Sequence, residues 1–399
     1  MRVVKFGGSS VADVARMRHV AAIVAELRAQ GPVAVVVSAM AGVTDALMRA
    51  GQSAISGDAR LREQLEEVAQ RHSAAWAALT HDAHTLARRG AGLDATARDR
   101  LVARFSGWGE RLVVGLLAAA LREAGLTAEA FDGAPVMLRG AADADGEPEP
   151  STLATRAWLL PRLALLVMRG GVPVLPGYVA RDTTGALTTL GRNGSDHSAA
   201  VIAAALGAER LTIYSDVPGI LTADPRISAD AALLPLLTYD EAQRVGALGA
   251  KALHPGAVEP VARWGIPLEM RSSLAPHAPG SDITPSAAAT SGRTCAGAWI
   301  VVSGALPDAA LAQVALEWLP AWPLGDDTPT QAARDNASAA LADLSLPDLR
   351  AREVTFTADG ARLLVDGAYS NAAVHALHTA LRGHPAQRVA PVAAQAAGA

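Results

Sequence analysis

The sequence contains little cysteine, few aromatic residues and no long apolar run. Its single cysteine, Cys295, excludes an internal disulfide framework, fits a reducing compartment and lies in no nucleophile motif. No apolar stretch reaches the ~18 residues of a membrane span, because Pro161 and Arg162 interrupt the run from Trp158 to Met168. With no signal peptide at the N-terminus, these features predict a soluble, cytoplasmic protein without a membrane partner.

The charge balance gives no support for nucleic-acid binding. The net charge is −4 over 399 residues, and the basic residues are spread along the chain. The composition is 50% hydrophobic but only 4% aromatic. A core of Ala, Val and Leu is typical of layered α/β proteins, and the length predicts two domains.

The stretch from Leu187 to Arg226 contains a β-branched segment, a polar turn, a helix (His197 to Leu206) and a strand (Arg210 to Tyr214). This order predicts a βαβ unit with parallel strands. The Asn-Gly pair in the turn fits a hairpin equally well when it is read alone.

The polar turn contains residues suited to anion binding, whether it lies in a βαβ unit or in a hairpin. Ser195 and Asp196 stand at the start of the helix, where unpaired N–H groups bind anions. Arg192 adds a two-pronged donor for a carboxylate or a phosphate.

The N-terminus predicts a strand (Met1 to Phe6), a Gly-Gly-Ser-Ser turn and a helix from Val11 to Ala29. The glycine pair would let the backbone approach a polyphosphate, and the serines could cap the helix. The lysine precedes the glycines, so this is not the usual nucleoside-triphosphate loop. A simple loop is the alternative.

The next strand, Pro32 to Val37, ends in small hydroxyl residues, including Ser38 and Thr44. The C-terminal ends of strands are where open α/β sheets bind ligands, although Thr44 could simply begin a helix. Glu110 begins the apolar helix Leu112 to Leu121. Its carboxylate could complement the helix dipole or bind a substrate ammonium group.

The last hundred residues differ in character. Ala298 to Val302 predicts a strand, Asp308 to Trp318 a helix, and Thr357 to Gly360 the turn of a hairpin. A helix (Asn371 to Leu381) and a strand near Arg388 to Val392 complete a βα…ββαβ order. The acidic loop 142–150 lacks the ligands of a calcium site, and no protein-bound metal is predicted.

Six segments, in this order, resemble the aspartate kinases of the amino-acid kinase family. They are Lys5 to Val11, Ser38 to Asp45, Gly109-Glu110, Gly191 to Asp196, Tyr214 to Arg226, and Gly249 to Pro255. The resemblance implies a three-layer α/β sandwich with a mainly parallel sheet over residues 1–284. It also implies a linker (285–293) and a smaller α+β region of the ACT, or ferredoxin-like, type over residues 294–399.

The same resemblance implies the site. Lys5, Asp196 and Lys251 would be catalytic. The amino-acid substrate would be bound by Ser38, Thr44, Glu110, Arg192 and Ser195. ATP would be bound by Lys5, Gly7, Gly8, Ser9, Ser215, Asp216, Arg226 and Lys251, with Mg²⁺ carried mainly on phosphates and waters.

The implied reaction is phosphorylation of the side-chain carboxylate of L-aspartate by ATP, in a homodimer joined through residues 293–399. A related kinase acting on another amino acid, a non-catalytic sensor and the kinase portion of a longer fused enzyme are the alternatives. No effector-binding signature is evident in the C-terminal region, so we expect weak or no inhibition by lysine and threonine.

Overall fold

The computed structural model describes residues 1–56, 58, 60–71, 106–131, 133–139, 149–191, 194–247, 253–285, 294–301, 311–320, 351–357 and 360–383. The chain divides into two compact units. The first comprises Met1–Asp216 and Gly256–His277, and the second comprises Val217–Pro255 and Ala278–Ala399. Among the described helices, none is long and apolar enough to cross a membrane.

The first unit is built around six parallel strands in the order β3-β5-β2-β1-β8-β10. Their bounds are β1 Arg2–Phe6, β2 Val33–Val37, β3 Ala128–Ala130, β5 Val172–Pro176, β8 Arg210–Ser215 and β10 Leu268–Ser272. β2 is a continuous Val-Ala-Val-Val-Val run and is buried throughout, as strands covered on both faces are. The predicted strands at Met1 to Phe6 and Pro32 to Val37 are confirmed.

Helices cover this sheet in two groups. In the first group, α1 (Val14–Ala29) and α2 (Val43–Ser56) pack against α4 (Trp108–Glu123). In the second group, α5 (Thr152–Met168) and α8 (Val258–Arg263) pack against α6 (Gly194–Leu206). A further helix, α3 (Leu61–Arg71), packs on α2. The predicted α/β fold with a parallel central sheet is therefore confirmed.

The first helix begins later than predicted. A 3-10 turn spans Gly8–Val11, and α1 begins at Val14 because the Asp13 carboxylate accepts the backbone N–H of Arg16 at 2.8 Å. An aspartate with extended backbone is a strong helix cap. The predicted capping of this helix by Ser9 or Ser10 is wrong.

The predicted βαβ unit is also wrong in one respect. β7 (Leu187–Thr189) pairs antiparallel with β6 (Val179–Arg181), in a separate sheet with β4 (Val136–Met137). The reason is the turn between them, where the buried Asp182 carboxylate accepts from Thr184 N, Thr184 Oγ1 and Ala186 N. A tight hairpin of this kind requires antiparallel partners.

In the second unit, β9 (Leu236–Thr238) and β11 (Ser281–Thr284) pair in parallel, and α7 (Tyr239–Ala247) follows β9. Thr238 and Glu241 cap α7 reciprocally, since each side chain accepts the other's backbone N–H. The later part forms an antiparallel sheet in the order β12-β13-β15-β14. These strands are β12 Thr294–Val301, β13 Leu311–Pro320, β14 Ala351–Thr357 and β15 Gly360–Asp366.

The predicted helix Asp308 to Trp318 is wrong, because β13 occupies that position as an interior strand. It pairs with β12 on one side and β15 on the other, and Val314 is fully buried. Cross-strand pairing on both sides outweighs the helix preference of its Ala, Leu and Glu residues. The predicted hairpin strands and the helix after them, α9 (Ser370–Gly383), are confirmed. The predicted strand near 388–392 and the linker residues 286–293 lie outside the described residues.

Candidate active site

Lys5 reaches the α6 side of the sheet because side chains alternate along β1. Its neighbours Val4 and Phe6 lie in the hydrophobic core formed with α1, α2 and α4. Lys5, between them, faces the opposite layer, and its Nζ lies 2.5 Å from Oδ1 of Asp196. The two side chains are 8% and 12% exposed. A buried ion pair has a high desolvation penalty, so this pair is a strong candidate for function.

Asp196 lies in the first turn of α6, as predicted. There its charge complements the helix dipole. Ser195 is also buried beside it, and the end of β5 packs closely against this turn. A Cβ at Gly177 would lie 2.7 Å from Cβ of Ser195 and 3.0 Å from the carbonyl oxygen of Val37. Only glycine allows the backbone of residue 177 to fit between β2 and α6.

The glycine pair after β1 is explained by contacts within the chain. A Cβ at Gly8 would lie 2.6 Å from the carbonyl oxygen of Ala39, and the Ala41 N–H donates to the Gly8 carbonyl at 3.2 Å. The loops that follow β1 and β2 can therefore touch. The Gly7 N–H donates to the Tyr214 carbonyl at 3.0 Å, so it is engaged within the protein.

Glu110 lies in the first turn of α4 and is only 2% exposed. Its carboxylate accepts the backbone N–H of Ala39, but Oε2 has no hydrogen-bond partner among the described residues. Burial raises the pKa of Glu110 to about 8, against the lowering effects of backbone hydrogen bonds and of the charge of Lys5. A buried carboxylate oxygen without a partner requires an explanation, and a cationic ligand would supply the missing contact.

Ser38 and Thr44 frame the loop that touches Gly8. The Ser38 N–H donates to the Phe6 carbonyl at 3.1 Å, which fixes the start of the loop at the end of β1. Thr44 lies in the first turn of α2, and both residues are half-buried. Ser9, in the 3-10 turn, is also half-buried, and its carbonyl accepts Nη1 of Arg16.

Ser215 ends β8, and its backbone takes part in a serine network that the sequence did not indicate. Its carbonyl accepts both the N–H (2.7 Å) and the hydroxyl (3.0 Å) of Ser273. Ser10 donates to the Ser273 hydroxyl at 2.7 Å, and a ring nitrogen of His19 lies 2.8 Å from the Ser273 carbonyl. Asp216 follows on the surface.

The backbone conformation of Tyr178 was also not predicted from the sequence. It has φ of +63° although it is not glycine, and Val179 N–H donates to Gly177 O at 2.6 Å across it. These two features describe a γ-turn with positive φ at its central residue, which is the strained form of this turn. A 3.1 Å hydrogen bond between the Tyr178 and Ser106 hydroxyls stabilises it. No residue type in the sequence signals positive φ at a tyrosine.

Three predicted residues cannot be placed with this group. Arg226 belongs to the second unit, where it is exposed and pairs with Asp224 at 2.7 Å. Arg192 and Lys251 lie outside the described residues. In the part of the chain that the structure describes, no three His, Cys, Asp or Glu side chains are close enough together to hold a metal ion.

Sequence comparison gives the chain its relatives. Residues 1–272 match the model of the amino acid kinase family. The chain is 34% identical over 301 residues to aspartokinase 1 of Arabidopsis thaliana, a match that covers 71% of this chain and 52% of the relative. It is 34% identical over 303 residues to lysine-sensitive aspartokinase 3 of Escherichia coli, covering 70% of this chain and 63% of the relative. Each match thus spans only about half to two thirds of the relative's length.

Structural comparison agrees on the fold. The crystal structure of E. coli aspartokinase III with aspartate and ADP superposes with a TM-score of 0.77 at 23% identity, covering 96% of this chain and 100% of the other. The sequence resemblance to aspartate kinases is confirmed as a similarity, and the family model covers more than half of the chain. The chain therefore belongs to the amino acid kinase family.

Proposed function

We propose that the chain is an aspartate kinase, which transfers the γ-phosphoryl group of ATP to the side-chain carboxylate of L-aspartate and forms L-aspartyl-4-phosphate. The observation that carries this proposal is the buried Lys5–Asp196 pair on the same unit as the buried, partly unpartnered carboxylate of Glu110. Relatives named aspartokinase support the choice of substrate.

Lys5 is the main electrostatic group in this proposal. Phosphoryl transfer relies on positioning and on neutralisation of charge, so a preorganised ammonium group facing the transferring phosphoryl lowers the barrier. Asp196 holds the Lys5 ammonium in place through their 2.5 Å contact. An aspartate side chain is already ionised near pH 7, so the attacking carboxylate needs no general base.

Glu110 is the proposed ligand of the substrate ammonium group. The ammonium would give Oε2 the partner that it lacks among the described residues. Arg192 would bind the α-carboxylate with its two-pronged guanidinium group, and Ser195 would assist it. Ser38 and Thr44, which flank the loop that touches Gly8, would orient the reacting end.

The nucleotide would lie against the turns that follow β1 and β8. Gly7, Gly8 and Ser9 would approach the phosphates, while Ser215 and Asp216 would line the ribose side. Arg226 and Lys251, which the resemblance assigns to ATP binding, would add positive charge. Mg²⁺, carried mainly on the phosphates and waters, would neutralise phosphate charge, since the described side chains offer no cluster to hold it.

The remaining parts of the proposal concern the whole molecule. We propose that residues 1–284 form the catalytic domain and that residues 294–399 form a degenerate ACT-like region that joins a cytoplasmic homodimer. Light scattering at micromolar concentration tests the dimer, and a monomer at that concentration would contradict it.

We also propose that lysine and threonine inhibit weakly or not at all.

The direct test is ADP release measured over a panel of amino acids with Mg²⁺ and ATP. We expect turnover with L-aspartate and little with three analogues. Glutamate has a longer side chain, asparagine has an amide in place of the side-chain carboxylate, and succinate lacks the ammonium group. Faster turnover with another amino acid would identify that amino acid, rather than aspartate, as the substrate. The absence of turnover with every member would refute the kinase proposal.

A further inference from the structure

A buried histidine of α9 contacts a distant part of the second unit. His378 is 1% exposed. Its Nε2 lies 2.9 Å from Oγ1 of Thr222, and its Nδ1 lies 3.3 Å from Oδ1 of Asp230. One imidazole thus touches two residues that are eight positions apart in the chain, more than 140 positions before it.

Those two residues belong to one hairpin, which we call the 219–234 hairpin. Leu221 and Leu233 form an antiparallel bridge, and Leu234 N–H donates to the Ile220 carbonyl at 2.9 Å. Thr222 closes the hairpin twice: its N–H donates to the Ala232 carbonyl, and its hydroxyl oxygen accepts the Ala232 N–H, both at 2.9 Å.

The imidazole joins the two sides of this hairpin. Thr222 is fully buried, so water does not compete for its hydroxyl group. Either the hydroxyl donates to Nε2 or Nε2 donates to the hydroxyl, and in both cases Nδ1 faces the Asp230 carboxylate. An apolar side chain at position 378 would leave both groups without these contacts.

A second histidine on the same helix makes a parallel contact. His375, one turn earlier, has its Nδ1 3.1 Å from Oγ of Ser228. Ser228 N–H donates to the Asp224 carbonyl at 2.9 Å, and the Asp224 carboxylate binds the Arg226 guanidinium. The helix is therefore linked to the turn that carries Arg226.

We propose that His378 is a positioning residue, through which α9 holds the 219–234 hairpin and thereby sets the place of Arg226 for nucleotide binding. The nucleotide part of this inference rests on the proposed function. It gives the C-terminal region a direct part in ATP affinity, separate from dimer formation. Aspartate binding, which we assign to the first unit, does not depend on it.

The test combines amide hydrogen exchange of the hairpin with titration of ATP on the full chain. In His378→Leu we expect faster exchange of the Thr222, Ala232 and Leu234 amides and a dissociation constant for ATP about tenfold higher, the scale of one lost buried hydrogen bond. The KM for aspartate should change less than twofold. His378→Gln, which keeps a polar group near Nε2, should restore most of the protection.

Leu377→Ala is the matched control, because Leu377 is buried on the same helix and has no polar group to lose. Equal loss of hairpin protection in Leu377→Ala and His378→Leu, or no loss in either, would overturn the inference. Loss of protection in His378→Leu with unchanged ATP affinity would overturn its nucleotide part. Failure of the wild-type chain to bind ATP would refute the proposed function, while the exchange rates would still decide whether His378 holds the hairpin.

Discussion

The ammonium nitrogen of Lys5 lies 2.5 Å from a carboxylate oxygen of Asp196, which joins an interior strand of the parallel sheet to the first turn of α6. The resemblance to aspartate kinases assigned a catalytic role to both residues. The contact depends on the alternation of side chains along β1, which places Lys5 on the α6 face. The proposed phosphoryl transfer depends on this pair.

The first prediction separates the catalytic role of this pair from its structural role. Lys5→Met should lower kcat by about 10²-fold or more, because a donor that stabilises the transition state is lost. It should also destabilise the fold, since removal of one partner of a buried pair typically costs about 3–5 kcal/mol.

Lys5→Met combined with Asp196→Asn is the control, because it removes both charges at once. We expect urea unfolding to show that the double variant recovers much of the lost stability while its activity remains low. Recovery of activity together with stability would mean that Lys5 serves folding alone.

The second prediction concerns Glu110 and the pH dependence of stability. Its pKa is raised from 4.5 to about 8 in the folded chain, so the folded state binds the proton more tightly than the unfolded state. Stability contributed by the protonated form is therefore present below about pH 4.5 and is lost as the pH rises towards 8.

Glu110→Gln has no proton to lose and should abolish this loss. Thermal unfolding should show nearly equal melting temperatures for the two proteins at pH 5 and a higher melting temperature for Glu110→Gln at pH 8.5. Parallel melting curves across this range would show that the Glu110 carboxyl is not held in its neutral form.

The third prediction compares two glycines. Gly8→Ala should destabilise the chain by about 1–3 kcal/mol and lower activity, because the new Cβ would lie 2.6 Å from the Ala39 carbonyl oxygen. Gly115→Ala, in the exposed part of α4 with nothing within 4 Å of the new Cβ, should stabilise by about 0.5–1 kcal/mol. Denaturant midpoints that shift in the same direction for both variants would contradict the packing argument.

The fourth prediction concerns Arg192, which lies outside the described residues and is assigned through the resemblance. Arg192→Lys retains the charge but loses the two-pronged geometry. The KM for aspartate should rise strongly, and the KM for ATP should change little. A selective rise in the KM for ATP would move Arg192 to the nucleotide side.

The positions of several candidate residues in the fold could be predicted, because these residues lie at the ends of strands or at the starts of helices. Lys5, Ser38 and Asp196 stand next to buried runs whose strand or helix character is evident from local pattern. β7 was assigned to the wrong sheet because the hydrogen bonds of the Asp182 turn, rather than the residues of β7 itself, decide which strand it pairs with. β13 was mistaken for a helix because its neighbours in the sheet, not its own residues, decide its conformation.

Contacts between residues distant in sequence were beyond prediction. The link from His378 to Thr222 spans 156 positions, and although Thr222 lies in the segment Tyr214 to Arg226, nothing in that segment indicates a histidine partner. The positive φ of Tyr178 is likewise set by its surroundings, since its hydroxyl group is fixed by Ser106, 72 positions earlier. Sequence patterns indicated the candidate site residues, while contacts between distant parts of the chain, such as these two, are evident only in the folded structure.

The most direct test of the central claim is to trap the product. Acyl phosphates react with hydroxylamine, so the 399-residue chain incubated with ATP, Mg²⁺, L-aspartate and hydroxylamine should yield aspartyl β-hydroxamate, identified by its mass. We predict hydroxamate and ADP in equal amounts with the wild-type chain. With Lys5→Met we predict a hydroxamate yield that is lower by about 10²-fold or more. ADP release without hydroxamate, or an equal yield from wild type and Lys5→Met, would contradict the assignment of phosphoryl transfer to this site.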